Sequence, residues 1–351
     1  MRILIIGGTR FMGPFVARRL VELGHAVTVF HRGKTPGDLP PEVRHLHCPD
    51  LDFGTRRELV NYLPALRELA PEVVLDMIPM TEAAVRATQD ALRGIARRLV
   101  AVSSMDVYRA YGVLIGKETG ELDPLPITEE SPLRSQLYPY RGEQPRSEDD
   151  PRRWMDDYDK IPLERRVLED PDLSGTVLRL PMVYGPGDAQ HRLFEYLKRM
   201  DDQRPLILLD EALAGWRWTR GYVEDIAAGI ALALTDPRAA GRIYNVGEAQ
   251  AAPTVEWVRA IARAAGWAGK VQILPGQALP AFLRADMDTH QDLVVDTSRI
   301  RRELGYREMV ASHEALARTV AWERANPPAQ VDPAQFDYAA EDAAWQAWKK
   351  A

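Results

Sequence analysis

Residues Arg2 to Ile6 form a near-continuous apolar run, and from Phe11 to Leu23 the apolar positions recur at helical spacing. The first pattern predicts a parallel strand covered on both faces, and the second an amphipathic helix packed against it. The alternation continues along the first half of the chain. Strands are predicted at His25 to Phe30, Val43 to His47, Glu72 to Asp76 and Arg98 to Val102, with helical patterns from Arg56 to Leu69 and from Thr81 to Arg97. A helix from about Pro162 to Leu168 and a strand from Gly175 to Leu180 follow. Strands spaced by helices of this length build an α/β fold around a doubly wound parallel sheet. Its ligand crevice lies beyond the C-terminal ends of the strands, where Gly7, His31, Met77 and Ser103 fall. The remainder mixes elements: helices from Phe194 to Met200, Val223 to Leu234 and Thr254 to Gly266 and near Arg299 and His313, and a strand from Arg242 to Val246.

From Gly116 to Asp157 the periodicity stops. Proline, glycine and charge dominate, with Pro124, Pro126, Pro132, Pro139, Pro145 and Pro151 in one stretch, which predicts a long loop or flap. Such a loop beside the ends of strands is either a lid or a surface insertion without a role.

The glycine turn joining the first strand to the first helix carries chemistry. Gly7 allows the tight turn and Gly13 allows the helix to sit close on the strand, while the first-turn N–H groups and the positive end of the helix dipole face outward. In that context Gly7-Gly-Thr9-Arg10-Phe11-Met12-Gly13 reads as a cradle for a dinucleotide pyrophosphate; the alternative is a glycine turn with no ligand.

Composition narrows the partners. A chain of 351 residues with 46% hydrophobic and 27% charged residues is an ordinary globular protein, longer than one ordinary core. Its formal net charge of −6 and the lack of a dense Lys/Arg run argue against nucleic acid. The single cysteine, Cys48, reads as a small apolar residue at a strand end. No signal peptide precedes the first strand and no apolar run approaches a membrane span, so the expected location is the cytoplasm, with no membrane partner. The seven histidines show no metal-ligand spacing, His45 and His47 alternating on a strand, and no metal is expected.

The motifs resemble the extended short-chain dehydrogenases/reductases, the group of NAD-dependent nucleotide-sugar epimerases, dehydratases and related reductases. The likeness rests on Gly7 to Gly13, then Val102-Ser-Ser-Met-Asp-Val-Tyr108, Leu178-Arg-Leu-Pro-Met-Val-Tyr-Gly-Pro186, Val223-Glu-Asp-Ile-Ala227, Ile243-Tyr-Asn-Val-Gly247 and Asp296-Thr-Ser-Arg-Ile-Arg-Arg-Glu-Leu-Gly305. It implies a Rossmann-type domain over residues 1–185 and a smaller C-terminal α/β substrate lobe over 186–351, with 221–247 packing back on the first. It also implies cofactor contacts from the glycine turn, from Asp50 and Leu51 after the third strand, from Met77 and Ser103, and from Lys160, Pro181 and Val183. Asp50 can equally cap the next helix. The family often pairs two helices into a dimer, and Leu163, Val167 and Leu168 form a candidate stripe.

Two departures from the family pattern stand out. The usual middle glycine of the turn is Arg10, and the second strand is followed by His31-Arg32 rather than by an acidic residue. An acid there binds the adenosine ribose and repels a 2′-phosphate; arginines do the reverse, so NADP is expected over NAD. Either arginine can instead be a solvated side chain, or Arg10 a contact to adenine alone. The second departure is catalytic. These enzymes use a tyrosine as acid/base, a lysine four residues later and a serine that orients the substrate oxygen. Ser104 matches the serine, unless Ser103 and Ser104 only terminate a strand. No tyrosine has lysine at +4; the nearest arrangement is Tyr158-Asp-Lys160. If the helix starts near Pro162, Tyr158 and Lys160 lie on an extended approach and face the same side, and Lys160 favours the tyrosinate. Otherwise Tyr158 packs, and a glutamate or tyrosine of the flap supplies the proton.

Tyr108, and Arg217 or Arg220 from Trp216-Arg-Trp-Thr-Arg220, are the candidate substrate contacts, the tryptophans stacking on a base or gluing two lobes together. The expected activity is NADP-dependent hydride transfer on a nucleotide-sugar-like or other polar small molecule; the alternative is a cofactor-binding regulatory or scaffold protein that has lost the tyrosine/lysine spacing.

Overall fold

The computed structural model describes residues 1–35, 37–147, 149–150 and 152–350. In chain order the elements of the first half are β1 (Arg2–Ile6), α1 (Met12–Glu22), β2 (Ala26–His31), β3 (Arg44–His47), α2 (Leu63–Leu69), β4 (Val73–Asp76), α3 (Glu82–Leu92), β5 (Arg98–Ser104), α4 (Arg109–Leu114), α5 (Lys160–Leu168) and β6 (Ser174–Leu180). The second half comprises β7 (Met182–Tyr184), α6 (Phe194–Asp201), β8 (Leu206–Asp210), α7 (Glu211–Ala214), β9 (Arg220–Tyr222), α8 (Val223–Thr235), β10 (Arg242–Asn245), α9 (Thr254–Ala265), β11 (Lys270–Leu274), α10 (Ser298–Leu304), α11 (Ser312–Ala325) and α12 (Tyr338–Trp348).

Seven parallel strands form the main sheet in the order β10-β6-β5-β4-β1-β2-β3, the Rossmann-type doubly wound arrangement. The winding reverses between β1 and β4, and the crevice of such a sheet opens there, past Ile6 and Asp76. Both faces are covered, which is why the strands read as apolar runs. Val16, Ala17 and Leu20 of α1 share one core with Ile226, Ile230 and Ala231 of α8; Leu59, Leu66, Val85 and Leu163 lie in the core of the other face.

Local chemistry explains where the elements differ from the sequence pattern. The stretch predicted as one helix from Arg56 is a tight 3-10 turn, Arg57–Tyr62, followed by α2, which begins next to Pro64, where a missing N–H costs nothing. The helix expected to reach Arg97 ends at Leu92, because Gly94 turns the chain at φ 72°. β7 and β9, three residues each, are too short to show a period, and β8 and β11 are not among the predicted strands; β7 pairs with β9 and β8 with β11, in parallel, as two small sheets of the C-terminal part. The flap is stitched to that part, with the Ile127 N–H donating to the Val294 carbonyl (2.8 Å) and the Asp296 N–H to the Ile127 carbonyl (2.7 Å). The stripe expected at a dimer surface is turned inward. Leu163 and Val167 are fully buried in the chain's own core, and Leu168 packs against it. Among the described residues, no helix is long and apolar enough to cross a membrane.

Candidate active site

The glycine turn is built as its residues require. Gly7 and Gly8 take φ of 88° and 83°, and a Cβ on Gly13 would lie 2.1 Å from the Gly8 carbonyl oxygen, so only glycine lets α1 start this close to β1. Phe11 precedes α1 at φ 48° and offers no side-chain cap; the Gly13 N–H closes the turn on the Arg10 carbonyl (3.0 Å), which leaves the Phe11 and Met12 N–H groups for a ligand. Phe11 also touches the chain after β7, where a Cβ on Gly187 would lie 3.3 Å from its Cα. Met77 and Ile78 flank the turn from β4, and a Cβ on Gly7 would meet Ile78 at 3.1 Å.

The loop after β4 is held from behind by a buried ion pair. Arg56 and Asp76 are both fully buried; Arg56 Nη2 donates to Asp76 Oδ1 (2.8 Å) and to the Ile78 carbonyl (2.6 Å), and Nη1 to Thr88 Oγ1 (2.9 Å). Neither residue is marked by any sequence motif.

Arg10 and Arg32 lie close enough at the end of β2 for their charges to act on one another. The guanidinium of Arg32 lies 3.9 Å above the Phe53 ring, and partial burial, then the Arg10 charge, lowers its pKa. Arg10 Nε donates to Thr35 Oγ1 (2.9 Å). Neither arginine forms an ion pair among the described residues. His31, expected at the cofactor, points elsewhere: its Nε2 is 2.9 Å from His45 Nδ1 and its Nδ1 accepts the Gly33 N–H (3.1 Å). Burial, then His47 and His45, pushes the His31 imidazole down to about 4. Asp50 is exposed, and the Leu51 side chain is buried in the core, so only its backbone can face a ligand.

At the end of β5 the two serines divide. Ser103 turns away from the crevice and donates to Glu164, which is paired with Arg179 (2.7 Å). Ser104 Oγ accepts the Asp106 N–H (3.2 Å), capping the turn. Tyr108 cannot touch substrate as expected: it is fully buried, its hydroxyl donating to Asn245 Oδ1 (2.5 Å) and accepting from Arg179 Nη1 (3.0 Å). The pairing of β5 with β6 draws it into this network, and burial pushes its phenol up to about 12.

Helix α5 begins at Lys160, two residues before the expected start, with Pro162 still in the first turn where its missing N–H is harmless. Asp159 caps it in an extended conformation and accepts the Ile161 N–H (2.9 Å), while its other oxygen accepts the Tyr138 N–H of the flap (2.6 Å). Tyr158 and Lys160 therefore meet, with the ammonium 5.3 Å from the phenol ring centroid. The electrostatics oppose the expectation. Burial first, then the Asp106 charge, raises the Tyr158 phenol well above the usual range, and its hydroxyl donates to Asp106 Oδ2 (2.8 Å). Lys160 is buried, donates to the carbonyls of Pro79 (2.6 Å) and Val102 (3.3 Å), and is pushed down to about 8 by desolvation.

Asp106, which sequence reasoning passed over although it lies inside the Val102–Tyr108 motif, is the centre of this cluster. Its carboxyl is raised by burial, and Oδ1 is buried without a hydrogen-bond partner among the described residues. The flap adds Tyr140, whose ring lies 5.3 Å from that of Tyr158 and whose hydroxyl is 2.9 Å from that of Tyr111. A cavity of about 570 Å³ is lined by Tyr138 and Trp154 of the flap together with Gly54, Thr81 and Arg86.

Pro181 and Val183 follow β6 at the same end of the sheet, Val183 buried. The Trp/Arg segment serves packing. Trp216 is buried and donates to the Gln291 carbonyl (2.9 Å), and Arg217 is ion-paired with Asp292 (2.8 Å). Arg220 is buried 4.5 Å from the Trp257 ring centre, donating to the Ala252 carbonyl (3.1 Å). Arg217 is thus held by Asp292 while still nearly half exposed, and Arg220 is drawn into the packing beside Trp257.

Residues 3–247 match the model of the NAD dependent epimerase/dehydratase family. The chain is 24% identical over 258 residues to the chloroplast stem-loop binding protein of 41 kDa b of Arabidopsis thaliana and 28% identical over 257 residues to a dTDP-glucose 4,6-dehydratase of Streptomyces griseus. These alignments cover 70% and 71% of this chain and 58% and 66% of those proteins, so the chain spans about three fifths to two thirds of their length. In fold it is similar to the UDP-glucose 4-epimerase of Thermus thermophilus, solved in complex with NAD: TM-score 0.62, 24% identity, 93% of this chain and 100% of that one. With the glycine turn, the seven-stranded sheet and a family match over most of its length, the chain belongs to the NAD dependent epimerase/dehydratase family.

Proposed function

We propose that the protein is an NADP-dependent oxidoreductase or epimerase/dehydratase that acts by hydride transfer on a hydroxyl or carbonyl of a nucleotide-sugar-like or other polar small molecule. The observation that carries this reading is the arginine pair at the end of β2, unneutralised by any carboxylate in the described residues, beside an uncapped helix N-terminus. That arrangement suits a dinucleotide with an extra phosphate: Phe11 and Met12 offer N–H groups to the pyrophosphate, Arg10 and Arg32 paired donors to a 2′-phosphate, and Thr9, Met77, Asp50 and the Leu51 backbone line the adenosine end. When bound, the nicotinamide supplies the hydride acceptor or donor. Lys160 holds the nicotinamide-side wall through the Pro79 and Val102 carbonyls. Ser104 orients the substrate oxygen. Tyr158 exchanges a proton with that oxygen, and Asp106, hydrogen-bonded to the phenol and carrying a free lone pair, takes the proton or returns it.

The test is titration calorimetry with NADP⁺ and NAD⁺, followed by assay of NADPH oxidation with nucleotide sugars and simple carbonyls. NADP⁺ should bind more tightly, and Arg32→Ala should weaken NADP⁺ roughly tenfold or more while leaving NAD⁺ nearly unchanged, since a charge-assisted contact contributes about 1.5–3 kcal/mol. Equal affinities, or loss of both cofactors alike, would sink the NADP assignment. A second reading, a cofactor-binding protein without turnover, is favoured by the Tyr158 phenol, whose proton is held tightly beside Asp106. It predicts tight NADP⁺ binding with no hydride transfer to any substrate and no effect of Tyr158→Phe.

A further inference from the structure

At the open edge of the main sheet three histidines meet. β2 and β3 run parallel with His31 opposite His47 and Val29 opposite His45. His45 and His47, two apart on β3, therefore project from one face, and the register places His31 on that same face of the neighbouring strand. One ring nitrogen of each lies within 4.8 Å of the other two, and His31 Nε2 is 2.9 Å from His45 Nδ1. The rings stand edge to face, with centroids 4.5 Å (His31–His47), 5.1 Å (His31–His45) and 5.9 Å (His45–His47) apart. His31 is buried, whereas His45 and His47 are exposed and free to turn.

We infer that His31, His45 and His47 form a binding site for a divalent transition cation of the Zn²⁺ class. Ligands at the usual Zn–N distance on a tetrahedral ion stand about 3.3 Å from one another, so turning the two exposed rings need only ease His45 slightly away from His31 and bring the nitrogens into that spacing. Three imidazoles on a rigid sheet leave the fourth position to water, and a wholly nitrogen donor set favours Zn²⁺, Ni²⁺ or Cu²⁺ over Mg²⁺ or Ca²⁺. The metal takes the place of the one proton that neutral His31 holds between its Nε2 and His45. That proton moves to His31 Nδ1, and the Gly33 amide that now points at Nδ1 turns aside. Gly33 allows this: it is exposed, in the left-handed region at φ 73°, and an added Cβ would come no nearer than 4.0 Å to His47. The site is separate from the Ser104–Asp106–Tyr158 cluster at the far side of the switch point, and it does not depend on the proposed reaction.

The experiment is calorimetric titration of the tag-free full chain with ZnCl₂, with Co²⁺ absorption spectra on the same samples. One Zn²⁺ per chain should bind with Kd tighter than about 100 µM, and Co²⁺ should show the visible bands of tetrahedral nitrogen coordination. His45→Gln and His47→Gln, both exposed and harmless to the core, should each weaken binding at least tenfold, whereas His290→Gln, a surface histidine far along the chain, should not. Binding weaker than that threshold, or binding equally strong in all three variants, overturns the site.

Discussion

Asp106 and Tyr158 bear most directly on chemistry at the level of single side chains. Tyr158→Phe removes only the hydroxyl that donates to Asp106, so dinucleotide affinity should hold while turnover falls by roughly 10² to 10⁴, the scale of a positioned acid/base. Asp106→Asn keeps the shape and deletes the charge that helps to raise the phenol. The tyrosinate absorbance of Tyr158, followed by difference titration against Tyr158→Phe, should then appear at lower pH than in the parent, and turnover should fall on a comparable scale. An unchanged titration would show that burial alone sets the phenol's acidity.

Two elements set the geometry of the crevice, the start of α1 and the loop after β4. Gly13→Ala puts a methyl group 2.1 Å from the Gly8 oxygen and drives the helix from the turn. Dinucleotide affinity should drop at least tenfold by fluorescence or calorimetric titration, because the N–H groups no longer converge, while the circular dichroism of the chain is retained. The loop after β4 depends on a different force. Arg56→Met leaves Asp76 buried and unpaired behind Met77 and Ile78, which should destabilise the fold by about 3–5 kcal/mol in urea denaturation. Adding Asp76→Leu should recover part of that loss, since the uncompensated charge, more than the missing contact, carries the cost. If the double variant is as unstable as the single one, the hydrogen bonds to Thr88 and Ile78 matter more than the ion pair.

For the fold taken as one body, carboxyls of the C-terminal part shape the pH response. Glu248, hydrogen-bonded by the Tyr184 hydroxyl (3.0 Å), is raised from 4.5 to about 7, with burial the largest cause. A carboxyl whose folded pKa lies above its unfolded value holds more protons when folded, so its contribution to stability is present below about pH 4.5 and is lost as pH rises toward 7. Glu248→Gln removes that loss. Relative to the parent, the variant should gain in Tm between pH 5 and pH 7.5, by roughly 2 °C or more, as read by scanning calorimetry. A constant difference across that range would mean that Glu248 titrates normally.

Short-range features were legible in the chain. The strand, glycine turn and helix from Arg2 to Leu23, the alternation behind the parallel sheet, and the positions that reach its C-terminal edge all follow from residues within a few places of one another, where backbone freedom and apolar period act directly. Which side chains meet was left to the packing of distant segments. Asp106 finds Tyr158 across 52 residues, Ser103 finds Glu164 across 61, and Tyr108 finds Asn245 across 137, and none of these partners is marked by spacing. Tyr108 is thus a buried network member, and the Leu163–Val167 stripe faces inward, because which face of an element is buried depends on what packs there. The histidines show the same division. Alternation placed His45 and His47 on one face of a strand, but only the register of β3 against β2 brought His31 to meet them.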